Sequence, residues 1–283
     1  MTKPALVAAV QMTSGDDVSA NLDRAADLVR RAAARGAEFV ALPENTAFMG
    51  PEEAKRATAE DFEVGSTGAT AGPIGRWLSA IAAETHTWVL LGGTAERTRD
   101  SSRVHNTALL ADAAGRFVAT YRKIHLFDVT LNDGSEYRES SVVEAGEKAV
   151  VVPTPIGAVG LSICYDLRFP ELYRRLVDLG AEVLAVPAAF TVPTGRDHWH
   201  VLLRARAIES QCYVIAPAQW GRHGHGRVTY GHALVCDPWG TVVAECSDGE
   251  GLAIAEIDPA RRADVRAQVP SLRHRRLGID ARR

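Results

Sequence analysis

Short, continuous apolar runs alternate with amphipathic stretches along this chain, and the alternation predicts a strand–helix–strand order. Residues 5–10 are apolar throughout and end at Gln11. Asp17 and Ser19 offer N-cap oxygens, and Leu22, Ala25, Ala26, Val29, Ala32 and Ala33 then recur at helical spacing. Gly36 stops that helix. Residues 39–42 read as the next strand, closed by Pro43 and Glu44. A second helix carries Ile74, Trp77, Leu78 and Ile81 on one face, and residues 88–91 form a buried strand ended by Gly92 and Gly93. Two hairpins come next. Residues 107–110 and 117–121 flank Ala113-Ala114-Gly115, with Lys123 at the far end. Residues 150–152 and 159–163 flank Pro155-Ile156-Gly157, ending at Cys164. The polar stretch 126–146 between them reads as loop. Beyond, the pattern predicts a helix over about 170–179 with Pro170 in its first turn, a strand over 183–186, a helix over 200–211 and a strand over 213–216. A last strand pair, 233–236 and 241–244, turns at Asp237-Pro238-Trp239-Gly240.

One echo organises these elements. Gly36-Ala37-Glu38-Phe39-Val40-Ala41-Leu42-Pro43 is similar to Gly180-Ala181-Glu182-Val183-Leu184-Ala185-Val186-Pro187, and each comes after a strand and an amphipathic helix. A unit used twice predicts pseudo-twofold symmetry. The expected fold class is α/β, a four-layer αββα sandwich with two facing sheets covered outside by helices. Strands buried on both faces explain runs that are apolar throughout rather than every second residue.

Length and composition then set limits. At 283 residues the chain is long enough for a large core without staples, and one domain over 1–283 is expected. Lys+Arg 32 against Asp+Glu 35 gives a net charge of -3, which argues against nucleic-acid or membrane-surface binding. No apolar run is long enough to span a bilayer. The first apolar run is too short for a signal peptide, so a cytoplasmic protein is expected. The four cysteines, Cys164, Cys212, Cys236 and Cys246, have no CxxC spacing. In a reducing compartment they are core thiols or a nucleophile. From Arg261 onward, eight arginines stand against two aspartates. That tail, about 261–283, reads as a dimer clamp over acidic surface rather than a nucleic-acid arm.

Ligands in α/β folds bind beyond the carboxyl ends of the strands, and three reactive side chains stand at such ends: Glu44, Lys123 and Cys164. Taken singly, Glu44 can cap a helix, Lys123 can be a solvated strand end and Cys164 a small core residue. Taken together they suit attack on an amide. A free thiol ionises near a pKa of about 8.5, so it needs a base and a positive charge close by. Glu44 would take its proton. Lys123 and the backbone N–H of Tyr165 would receive the oxyanion, one good donor being worth ~3 kcal/mol. Glu44 would then protonate the leaving nitrogen and activate water.

Three ordered blocks make this specific. Leu42-Pro43-Glu44-Asn45, Tyr121-Arg122-Lys123-Ile124-His125-Leu126-Phe127-Asp128 and Ile163-Cys164-Tyr165-Asp166-Leu167-Arg168-Phe169-Pro170-Glu171-Leu172 resemble the signature blocks of the nitrilase, or carbon–nitrogen hydrolase, superfamily. The resemblance covers nearly the whole chain. It implies a Glu44–Lys123–Cys164 triad, the αββα sandwich, and a homodimer whose interface uses the helices after Cys164 and around 200–211. It also implies a second glutamate before a serine. Glu139-Ser140 fits, Glu139 orienting Lys123, with Glu136 the weaker alternative.

Phe190-Thr191-Val192-Pro193-Thr194-Gly195, Leu203-Arg204-Ala205-Arg206-Ala207-Ile208-Glu209, Tyr230-Gly231-His232 and His274-Arg275-Arg276 are similar to the Nit branch of that superfamily. This implies a small anionic amide as substrate. Arg168, or Arg196 in the loop before His198, would hold its carboxylate, with Tyr165, Phe190 and Thr191 lining the pocket. For Arg168 the alternative is a local pair with Asp166 or Glu171. Asp197 and the loops 129–136 and 221–226 depart from the branch, which bears on substrate more than on reaction.

Competing chemistries are weaker. His198 and His200, with His223, His225 and His232, lack a third ligand at a familiar metal spacing. No glycine-rich phosphate loop is present. No metal and no cofactor are therefore expected. A thiol–histidine dyad would need His125, His198 or His232 against Cys164, and would leave Glu44 and Lys123 without a role. Cys212 and Cys236 sit in apolar contexts that read as core. A non-enzymatic binding module would have no need of all three reactive groups.

Overall fold

The computed structural model describes residues 3–68, 71–130, 134 and 136–277, with the backbone alone at 225. The first half runs β1 (Ala5–Met12), α1 (Val18–Ala34), β2 (Ala37–Ala41), α2 (Pro73–Thr85), β3 (Trp88–Arg97), β4 (Val104–Ala111) and β5 (Phe117–Arg122). Asp17 caps α1 by accepting from the Ala20 N–H at 3.1 Å, as its position predicts. Strands β1, β2 and β3 are parallel, and β4 and β5 continue antiparallel.

A short hairpin, β6 (Asp128–Thr130) and β7 (Glu136–Arg138), precedes the second half. That half runs β8 (Val150–Thr154), β9 (Gly157–Leu161), α3 (Pro170–Asp178), β10 (Val183–Ala185), α4 (Val192–Ser210) and β11 (Tyr213–Ala216). The chain closes with β12 (Ala218–Arg222), β13 (Val228–Tyr230), β14 (Leu234–Cys236), β15 (Val242–Glu245), β16 (Gly251–Ile257) and α5 (Pro259–Gln268). Strands β9, β10 and β11 are parallel, so β–α–β–α–β occurs twice. The echoed octapeptides are β2 and β10, the central strands of the two parallel trios. Each begins after a left-handed glycine, Gly36 (φ 88°) or Gly180 (φ 94°).

Among the described residues, one sheet has eight strands, β13-β12-β1-β2-β3-β4-β5 with β16 antiparallel against β1. The other has six, β15-β14-β11-β10-β9-β8. Burial along the first sheet alternates between two cores. Val7, Ala9, Phe39, Ala41, Leu90, Ala108 and Leu110 face the second sheet and pack with Val159, Leu161, Leu184 and Ile215. Ala8, Val10, Val40, Val89, Leu91 and Leu109 face α1 and α2, packing with Leu22, Val29, Ile74 and Leu78. Leu172 and Leu176 of α3 and Trp199 and Leu203 of α4 cover the second sheet. These are the four layers, and they account for the continuous apolar runs. No helix among the described residues is long and apolar enough to cross a membrane.

The structure redraws four elements. Strand β3 does not end at Gly92-Gly93 but passes through them, with a bulge between Gly92 and Thr94. The stretch 126–146 holds the β6–β7 hairpin, pinned by Phe127 and Asp128, rather than loop alone; positions 131–133 and 135 lie outside the described residues. Helix α4 starts at Val192, eight residues before the expected point, because Pro193 sits in its first turn. The arginine-rich tail takes in most of α5, and four of its arginines bind this chain: Arg261 pairs with Asp237 at 3.0 Å, Arg262 with Glu182, Arg275 with Asp178 at 2.5 Å, and Arg266 donates to the Gln211 carbonyl at 3.2 Å. Residues 278–283 of that tail lie outside the described residues.

Gly92 sets how closely the two halves approach. A Cβ there would overlap both the Leu42 carbonyl oxygen and the Pro187 ring, so the two echoed proline segments close on this residue. Gly92→Ala is expected to cost about 1–3 kcal/mol through overpacking and to lower Tm by several degrees. An unchanged Tm would show that the two segments are free to part there.

Candidate active site

Three turns at the carboxyl ends of strands build the site. Glu44 comes after β2 and Pro43, and the next residue, Asn45, is left-handed (φ 60°). The Asn45 N–H donates to the Gly93 carbonyl at 3.0 Å, and Gln219 Nε2 donates to the Glu44 carbonyl at 3.1 Å. Lys123 comes directly after β5, its N–H held by the Asn106 carbonyl at 2.8 Å. Cys164 lies three residues beyond β9 and opens a 3₁₀ turn, Cys164–Arg168. Its φ of 50° is a left-handed conformation that a non-glycine residue keeps only when its surroundings enforce it. The Cys164 N–H donates to the Pro187 carbonyl at 2.8 Å.

Asp166, fully buried, ties the cysteine turn to the lysine segment. Its Oδ2 accepts from Tyr121 Oη at 2.7 Å and from the Ile163 N–H at 2.9 Å. Its Oδ1 accepts from the His125 N–H at 3.0 Å and meets His125 Nδ1 at 2.7 Å. Asp166 is therefore committed, and the alternative pairing of Arg168 with Asp166 or Glu171 is not what forms.

The charges meet in one buried cluster. Lys123 Nζ lies 2.9 Å from Glu44 Oε1 and 2.8 Å from Glu139 Oε2. Asn106 Nδ2 donates to both acids, at 3.0 Å and 3.2 Å. The Phe127 N–H donates to Glu139 Oε2 at 2.7 Å. All three ionic groups are buried. Burial would push Glu139 up, but Lys123, then Lys55, then hydrogen bonds hold it down at about 2. Burial likewise would lower Lys123, and Glu139 and Glu44 reverse that, leaving it well above the usual ammonium range. The Cys164 thiol moves the other way. Burial first and the Glu44 charge second push it well above its ordinary value, and Lys123 only partly offsets them. Both effects disfavour the thiolate, so ionisation of the sulfur is tied to the reaction step.

A cleft of about 650 Å³, open to solvent, unites these groups. It is lined by Glu44, Lys123, Glu139 and Cys164, and by Tyr165, Arg168, Phe190 and Thr191 among the expected contacts. The Arg168 guanidinium sits 5.8 Å from the Tyr165 ring centre and 5.4 Å from that of Phe190, and Nη1 meets His198 Nδ1 at 3.2 Å. Arg196 is not part of the lining. Since α4 begins at Val192, Arg196 lies on its exposed surface and not in a loop. Glu136 reaches the rim, paired with Arg138 at 2.5 Å, while Glu139 is the one that meets Lys123.

Sequence reasoning missed Asn106, Lys55 and Arg227. Asn106 bridges the two acids, and Lys55 and Arg227 reach the cleft from segments far apart in the chain. No histidine is in the lining among the described residues. His125 stacks on Phe169 with ring centres 3.7 Å apart and is bound to Asp166, so it serves the turn and not the sulfur. Cys212 and Cys236 are buried, as expected. Away from the cleft, Glu245 Oε1 lies 2.8 Å from both His200 Nε2 and His232 Nδ1, tying α4 to the β14–β15 edge. The side chain of His225 lies outside the described residues.

Known proteins share this architecture. The model of the carbon–nitrogen hydrolase family matches residues 6–267. The chain is 49% identical over 276 residues to a protein of Synechocystis named deaminated glutathione amidase, covering 96% of this chain and 98% of that one. The human protein of the same name is 43% identical, over 96% of this chain and 82% of its own length. Among solved structures, Saccharomyces cerevisiae Nit3, of branch 10 of the nitrilase superfamily, superposes with a TM-score of 0.87 at 31% identity and 97% coverage of each chain.

Proposed function

This chain belongs to the carbon–nitrogen hydrolase family and is an amidase, and from that premise we propose that it cleaves deaminated glutathione into 2-oxoglutarate and cysteinylglycine. The observation that carries the chemistry is the buried Glu44–Lys123–Glu139 cluster opening into one cleft with Cys164. The relatives' name supports the substrate, and so does Arg168, a cation in the cleft with no acid bound to it among the described residues.

Glu44 takes the thiol proton as Cys164 Sγ attacks the amide carbon. The carbonyl oxygen becomes an oxyanion received by Lys123 and the Tyr165 N–H. Glu44 then gives its proton to the amide nitrogen, the C–N bond breaks, and cysteinylglycine leaves a thioester on Cys164. A water, losing a proton to Glu44, attacks the thioester. The sulfur departs and recovers the proton, and 2-oxoglutarate is released. Glu139 holds the Lys123 ammonium and assists the proton transfers, and Asn106 bridges the two acids. Because the groups are coupled, the pH profile belongs to the cluster rather than to one residue.

Rates of 2-oxoglutarate release from deaminated glutathione and from 2-oxoglutaramate test the substrate. The first is expected to have the higher kcat/KM by at least ~10-fold, and a reversed order would make the chain an ω-amidase instead. Arg168→Gln is expected to raise KM for either acid by ~10-fold, since hydrogen bonds to a charged group are worth about 1.5–3 kcal/mol. An unchanged KM removes Arg168 from substrate binding.

We also propose that one catalytic domain works as a homodimer in the cytoplasm. Val201 (67% exposed) and Ile208 (50% exposed), two turns apart on α4, and Leu179 beyond α3 are exposed apolar side chains that a second copy would cover. The free state of all four cysteines fits a reducing compartment. Light scattering that returned a monomer mass would overturn the dimer.

A further inference from the structure

Deaminated glutathione carries two carboxylates, one on the oxo-acid side of the cleaved bond and one on the glycine of the departing dipeptide. Arg168 answers one of them. The cleft holds a second, separate group of cations that the mechanism does not use. Lys55, 6% exposed, comes from the 3₁₀ segment Glu52–Thr58, and Arg227 from the residue before β13. Both turn to the same acid: Lys55 Nζ is 2.7 Å from Glu52 Oε2, and Arg227 Nη1 is 3.7 Å from Glu52 Oε1.

Five cations line the cleft, Lys55, Lys123, Arg138, Arg168 and Arg227, against four acids, Glu44, Glu52, Glu136 and Glu139. Arg227 Nη2 donates to the Ala189 carbonyl at 3.2 Å, and the guanidinium lies 5.6 Å from the Tyr137 ring centre. Its buried Nε has no hydrogen-bond partner among the described residues. A partly buried guanidinium whose nearest acid is 3.7 Å away, in a cleft with more cations than acids, is set up to receive an anion through its Nη groups. Arg168 lies beside Tyr165 and Phe190 and is given to the oxo-acid carboxylate, which leaves Lys55 and Arg227 for the carboxylate at the other end of the substrate.

We propose that Lys55 and Arg227 form a second anion subsite, which takes the terminal carboxylate of the departing dipeptide and so selects an N-acyl dipeptide over a simple primary amide. This rests on the reading of deaminated glutathione as substrate.

The test pairs variants with a substrate change. Deaminated glutathione and its C-terminal carboxamide, which is neutral at that end, are hydrolysed by the parent and by Arg227→Gln and Lys55→Gln. In the parent, amidation is expected to lower kcat/KM by ~10–100-fold, mainly through KM, the range for hydrogen bonds to a charged partner. In each variant the penalty for amidation should shrink to ~3-fold or less, because the partner is already gone. Equal penalties in parent and variants would overturn the subsite, and so would a parent that does not discriminate acid from amide. A parent that releases 2-oxoglutarate from 2-oxoglutaramate but not from deaminated glutathione would overturn the substrate reading and the subsite together. A variant that loses activity by misfolding loses it on both forms, whereas the ratio between the forms reports the subsite alone.

Discussion

Replacing Cys164 with alanine should abolish turnover and the acyl-enzyme together. With deaminated glutathione, rapid quenching and mass spectrometry should find the parent carrying a 2-oxoglutaryl thioester and Cys164→Ala carrying nothing. The rate should fall by ~10⁴-fold or more, the scale on which loss of a nucleophile acts when its partners cannot replace it. The fold should survive. The side chain is small, and the turn that carries it is held by Asp166 and by the Pro187 carbonyl rather than by the sulfur. Ammonia or dipeptide release at even ~1% of the parent rate in a folded Cys164→Ala protein would exclude a thioester route.

Lys123→Met should damage both stability and activity. The ammonium is the only cation within hydrogen-bond reach of Glu44 among the described residues, and it is shared with Glu139. Its removal leaves two buried carboxylates facing each other, at a cost of about 3–5 kcal/mol. The effect should depend on pH with a definite sign. In the parent, Glu139 is held at about 2, below its ordinary 4.5. Its contribution to stability is full above pH 4.5 and is lost as pH falls toward 2. Without Lys123, burial dominates, Glu139 rises above its unfolded value, and acidification stabilises the variant. Denaturation curves at neutral pH and near pH 4 should therefore show the gap between parent and variant narrowing on acidification. A gap that widened, or a variant as stable as the parent at neutral pH, would remove the ion cluster from the account.

Legibility in the sequence fell off with distance along the chain. The repeat showed because β2 and β10 keep the same residue types for the same reason, a glycine that turns left-handed and a strand buried on both faces. Glu44, Lys123 and Cys164 showed because strand ends are where α/β folds place chemistry, and because the residues around each are themselves constrained. Asp166 stood in the cysteine block, yet its partners, Tyr121 and His125, lie over forty residues away, so its task was invisible. Lys55, in a 3₁₀ segment after β2, and Arg227, between β12 and β13, lack a periodic pattern and meet because β1 pairs with both β2 and β12 in one sheet. Arg196 was misplaced for a local reason. Pro193 reads equally as a loop residue or as a first-turn residue, and the structure uses it as the second.

The burial of Cys164 has a consequence beyond catalysis. Peroxide and disulfide exchange act on thiolates, and susceptibility tracks the ionised fraction and its exposure. Cys164, 7% exposed and with its thiol pushed up by burial and by the adjacent Glu44, offers oxidants little to attack. The burial that reserves the nucleophile for a carbonyl held over it also shields it from exchange with other thiols.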